Sequence, residues 1–108
     1  MRYYRYDGKE NVSRDEAKEI TLELSLEEIE RHPTVRFNRF GLIDEKGESI
    51  EFIRWEDDKW SIDVPVYENG EYAYCLHEDF LTTGKVKRIV SLFHSGGDWR
   101  SMCRLLRK

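Results

Sequence analysis

Cysteine is scarce in this chain, with Cys75 and Cys103 the only two in 108 residues. Two thiols do not make a disulfide framework; in a reducing compartment such thiols are usually free and buried. Proline is equally scarce, and Pro33 and Pro65 are the only breakers of that kind. No apolar run approaches the ~20 residues of a membrane-spanning helix. The opening residues, MRYYRYDGKE, lack the apolar segment of a secretory signal. These absences predict a cytoplasmic protein without membrane contact. Neither Cys-x-x-Cys nor His-Glu-x-x-His spacing occurs, so no metal or cofactor is expected.

The chain is long enough for one compact domain over residues 1–108. Charged residues reach 37% and aromatics 13%, so the surface is highly charged and much of the buried or binding area is ring surface. The charge is uneven. Residues 84–108 hold seven Lys or Arg and one acid, a net of +6. Residues 1–83 hold 11 bases and 21 acids, a net of −10. A nucleic-acid binder would be basic overall or carry a basic stripe laced with aromatics. Here the aromatic middle is acidic, which favours a basic protein partner over DNA or RNA. The plainer reading is acids on a solvated sheet and bases on a solvated helix.

Periodicity predicts an α+β fold. A short first strand, RYYRY, ends at Asp7-Gly8. Ser13 with Glu16, and Ser25 with Glu28, read as capping boxes. The first is assigned a short helix over 13–20, and the second starts a helix that Pro33 stops near His32. Between them Ile20, Leu22 and Leu24 alternate with polar residues, a strand pattern. VRFNRFGLID, ESIEFIRW, KWSIDVPV and EYAYCLH are then four strands joined by tight turns, with Asn69-Gly70 the strongest hairpin signal. Pro65 marks an edge or a bulge. Val86, Ile89, Val90 and Phe93 form a helical stripe starting near Thr83 and stopping at Gly96-Gly97. Asp98 caps a second helix carrying Trp99, Met102, Cys103 and Leu106. The expected architecture is an antiparallel meander of four to six strands. Two C-terminal helices pack on one face, with a short N-terminal helix besides.

Candidate chemistry is thin. Cys75, His77, His94 and Cys103 could supply metal ligands, but without a recognised spacing. His77, His94 and Lys85 could serve an acid–base hydrolase of the ribonuclease type, although nothing in the sequence makes them converge. Cys75 reads better as an inert buried thiol than as a nucleophile activated by His77. Ser95-Gly96-Gly97 could cradle a phosphate, but Asp98 would repel it.

The acidic, aromatic stretch IEFIRWEDDKWSIDVPVY, residues 50–67, is more informative. Trp60 shares a face with Ile62, Val64 and Val66 and reads as core. ESIEFIRW is apolar on both faces: Ile50 and Phe52 on one, Ile53 and Trp55 on the other. Such a strand is either covered twice or exposes a patch. Trp55 is therefore core beneath the N-terminal segment, or an anchor for a cationic partner. In the second case the partner-binding residues are Glu51, Trp55, Glu56, Asp57, Asp58, Asp63, Tyr67, Glu68 and Tyr72, with Glu51 and Asp63 neighbours across the hairpin.

The acidic turn before Trp60, the Tyr-rich hairpin around Gly70, and the helix running into Gly97-Asp98-Trp99 together resemble small immunity proteins. These neutralise bacterial polymorphic toxins, including those of contact-dependent inhibition systems. The resemblance spans roughly residues 35–102. It implies a non-enzymatic inhibitor bound to a cognate toxin domain, often a nuclease, whose basic active site it occludes. It transfers no binding residue. The alternatives are a general interaction or regulatory module, an acidic mimic of nucleic acid aimed at defence enzymes, and a small hydrolase.

Overall fold

A computed structural model describes residues 1–8, 10–34 and 38–108. Among these, the chain is α+β with an eight-stranded antiparallel sheet and two α-helices. The strands are β1 (Arg2–Tyr6), β2 (Asn11–Val12), β3 (Lys18–Glu19), β4 (Arg39–Ile43), β5 (Ser49–Glu56), β6 (Lys59–Glu68), β7 (Glu71–Leu81) and β8 (Leu106–Arg107). The helices are α1 (Leu22–Arg31) and α2 (Thr83–Ser95). The spatial order is β2-β1-β4-β5-β6-β7-β8, and β3 also pairs with β1. The meander β4 to β7 is the predicted one; the start assigned at Val35–Phe37 lies outside the described residues. The count exceeds four to six because three strands of two residues each, β2, β3 and β8, line the sheet edges. Such short edge strands carry no readable pattern, and they block edge-to-edge pairing.

Both helices lie on one face, but they are not the pair that periodicity suggested. The strand expected at Ile20–Leu24 is not formed: Leu22 begins α1, and Ile20 and Thr21 lead into it. Thr21 is its cap, its hydroxyl accepting from the Leu24 amide at 3.2 Å. Ser25, the expected cap, sits inside the first turn and donates back to the Thr21 carbonyl. The helix expected over 13–20 is only a 3-10 turn, Arg14–Glu16, to which Ser13 gives no side-chain cap. The helix expected after Asp98 is likewise one 3-10 turn, Arg100–Met102. The chain then runs extended because β8 finds open edge on β7, pairing Leu106 with His77 and Arg107 with Leu76. Tertiary pairing overrides the helical spacing there. The helix α2 is as predicted, shifted by one residue. Thr82 caps it and Gly96, at φ 74°, ends it in the left-handed conformation.

Strand alternation sends Phe40, Leu42, Ile50, Phe52, Trp60, Ile62 and Val64 to the helix side. There they bury against Ile29 of α1 and Val86, Ile89, Val90 and Phe93 of α2. Pro65 is tolerated because the β5–β6 ladder ends at Asp63, leaving β7 as the neighbour there.

The opposite face has its own constraint. Tyr4 is paired with Gly41, and its ring lies flat over that glycine. A Cβ on Gly41 would come within 2.1 Å of the ring. Gly41→Ala should therefore cost about 1–3 kcal/mol in urea unfolding. Gly84→Ala in α2 has open space around it. It should be neutral or stabilising by up to about 1 kcal/mol in the same assay.

Candidate functional site

The face without helices carries a row of residues in direct register across six strands: Tyr4, Gly41, Glu51, Asp63, His77 and Leu106. Glu51 and Asp63 are opposed as the sequence suggested. Two carboxylates facing each other on neighbouring strands repel. Arg39 of β4 resolves this, donating to Glu51 Oε1 and Asp63 Oδ2 at 2.7 Å each. The bonding continues both ways. The Tyr4 hydroxyl donates to Glu51 Oε2 at 2.6 Å. His77 Nδ1 lies 2.5 Å from Asp63 Oδ1 and its Nε2 lies 2.7 Å from Asp79 Oδ1. Asp79 accepts from Ser61 Oγ, which accepts from Trp55 Nε1, both at 2.5 Å. Lys108 Nζ stands 3.9 Å from Asp63. One connected polar chain thus runs from Tyr4 to Trp55.

Burial by itself would raise the Asp63 carboxyl, but hydrogen bonds from His77 and Arg39 outweigh it and hold the pKa below the ordinary value. The hydrogen bond from Ser61 lowers Asp79. Burial and the Glu51 carboxylate push the Tyr4 hydroxyl up. Tyr4 therefore stays a neutral donor to Glu51. Burial also raises the Cys75 thiol, which keeps it protonated.

The two ends of the face are built differently. At one end, bulges in β5 and β7 converge beside Ser61. The β5–β6 register shifts between Arg54 and Glu56, which places Trp55 at the bulge. The β6–β7 register shifts between Trp60 and Ile62, so Asp79 and Phe80 stand opposite Ser61 alone. Trp55 is 40% exposed and Phe80 85%. Both line a cavity of about 320 Å³ with Glu56, Lys59, Ser61 and Asp79. Glu56 pairs with Lys59 at 3.3 Å. At the other end, Tyr67 and Tyr72 meet edge to face across the Asn69-Gly70 turn, whose φ values of 53° and 81° allow the tight hairpin. Arg14 donates to Ser49 and lays its guanidinium over Tyr67 at 4.7 Å, so the N-terminal segment covers part of this end. Tyr72 remains 61% exposed. Tyr4, Ile43 and Ile53 are buried in this face, so β5 is covered on both sides along most of its length.

The acidic turn at Asp57-Asp58 has a structural role. Asp58 Oδ1 accepts from the amide of Thr83, the first residue of α2. The Asp57 carbonyl accepts from Arg54 and from the Thr83 hydroxyl. Arg54 also donates to the His32 carbonyl at the end of α1. The turn therefore joins the two helix ends.

The nine sequence-nominated residues divide accordingly. Trp55, Glu56, Asp57, Tyr67, Glu68 and Tyr72 are exposed. Glu51 and Asp63 belong to the internal network, and Asp58 to the helix cap. Sequence reasoning missed Tyr4, Arg39, Asp79 and Phe80. A charge on the apolar-bounded strand RFGLI was a signal for Arg39; nothing local marked Phe80. The hydrolase trio is not assembled. His94 bonds Ser25 between the helices at 2.8 Å, whereas His77 lies on the other side of the sheet. Among the described residues, no group of three or more His, Cys, Asp or Glu is placed to hold a metal ion. No helix among them is long and apolar enough to cross a membrane. No family model, curated protein or solved structure matches the chain.

Because the Asp63 pKa is depressed by folding, its contribution to stability is present above the ordinary carboxylate pKa near ~4 and is lost as pH falls through the depressed value. Asp63→Asn should lose about 3 kcal/mol at pH 7, since Arg39 and His77 each lose one of two carboxylate partners at a buried position. Denaturant unfolding as a function of pH should show the gap to wild type narrowing below that range.

Proposed function

We propose that this protein is an inhibitor of the immunity class. It binds a cognate toxin domain, by the resemblance a nuclease, and occludes its basic active site. The observation that carries this reading is the exposure of Trp55, Tyr67 and Tyr72 on the face that the helices leave uncovered. Ser61 to Tyr67 covers six residue steps of β6, or about 20 Å. With the flanking turns, this is the scale of a partner footprint of about 800 Å². Exposed rings at both ends suit anchoring, since aromatic residues dominate interface energetics.

The network between the rings supports the reading in a different way. Glu51, Asp63 and Arg39 satisfy one another, so they shape a rigid floor and leave little charge for a partner. The steering charge comes from Glu56, Asp57 and Glu68, all exposed. These carboxylates meet a phosphate-binding surface with the opposite sign. The protein needs no chemistry of its own for this; it excludes the nucleic acid by occupying the site.

Co-expression with the product of the neighbouring gene, which this reading takes to be the toxin, tests the proposal. A double variant, Glu56→Lys with Asp57→Lys, spares the Asp58 cap and should leave the fold intact. Stopped-flow association with that product should slow at least about tenfold and lose much of its salt dependence. Association at the wild-type rate, with a wild-type salt slope, would remove the acidic end from the interface.

A further inference from the structure

Phe80 combines two features that local folding does not call for. Its φ is 66°, in the left-handed region where a bulky side chain is strained and where bulges usually place glycine. Its ring is also 85% exposed, the most exposed large apolar side chain among the described residues. A ring this open contributes little to the protein's own core, so packing does not offset the backbone strain. Glycine at the same position would fit the bulge without it. Strain of this kind, held by its surroundings, gathers at binding sites.

The surroundings do hold it. The bulge is fixed on both flanks: Asp79 is bonded to Ser61 and His77, and Leu81 is buried and paired with Trp60. The ring is therefore presented on a rigid mount. Its neighbours around the cavity include the carboxylates of Glu56 and Asp79, whose side chains are 68% and 46% exposed. Among the described residues that line the cavity, Lys59 is the one base, and Glu56 pairs with it.

We infer that Phe80 is the main anchor at the Ser61 end of the partner interface, inserting its ring into an apolar socket of a protein whose rim carries Arg or Lys to meet Glu56 and Asp79. This deepens the proposed inhibitory function and rests on it. The apolar tip is desolvated in the socket, and the surrounding carboxylates fix its register through opposite charge.

Phe80→Gly and Phe80→Ala separate anchoring from folding. Gly relieves the left-handed strain, so its thermal midpoint should rise by about 4 °C. Ala keeps the strain and should show no such rise. Both should weaken binding of the toxin-gene product, measured by calorimetry, at least about 30-fold. A Phe80→Gly variant that melts lower than wild type would overturn the inference, since the ring would then serve the fold. So would a wild-type complex that tolerates Phe80→Gly at unchanged affinity, while leaving the inhibitory function standing. A wild-type chain that forms no complex with that product would remove the inhibitory function, and the anchor with it.

Discussion

Arg39 stands between Glu51 and Asp63, 2.7 Å from each, on a face of the sheet that has no helix to cover it. Without that guanidinium, two carboxylates would oppose each other on adjacent strands, and one of them, Asp63, is buried. With it, the pair becomes the centre of a hydrogen-bonded chain reaching Tyr4 on one side and Trp55 on the other. The chain has a geometric prerequisite in Gly41. Only a residue without a side chain lets the Tyr4 ring lie flat enough for its hydroxyl to reach Glu51.

That network turns an otherwise ambiguous sheet face into a rigid platform. Its polar groups are satisfied internally, so the platform can lose water without leaving charges unpaired. The rings at either end then project from fixed positions: Trp55 and Phe80 from two bulges that meet at Ser61, and Tyr67 and Tyr72 from a tight hairpin. A preordered surface loses less side-chain freedom on association. The acidic turn contributes differently at its two residues. Asp58 ties the sheet to α2, while Asp57 remains outward. Architecture and the proposed recognition share one dipeptide.

The helices show where local pattern misleads. Ser25 carries the stronger capping motif, yet Thr21 is the cap. The deciding factor is that Ser25 is buried against His94 of α2, a contact 69 positions away in the chain. The segment after Asp98 has helical spacing, yet it pairs as a strand because β7 offers an open edge. In both cases a long-range contact outweighs a local preference of a few tenths to one kcal/mol.

Sequence alone determined the meander from β4 to β7, its Asn69-Gly70 turn, the apolar stripe of α2 and the core place of Trp60. Each of these follows from a period or a turn residue acting over a few positions. It also brought Glu51 opposite Asp63, since register follows from strand and turn lengths. Tertiary structure decided the rest: which acids are internally bonded and which stay outward, and that two bulges bring Trp55 and Phe80 to one place. The reason is physical. A bulge changes the face of every residue beyond it, and a carboxylate's availability depends on which base the fold brings to it.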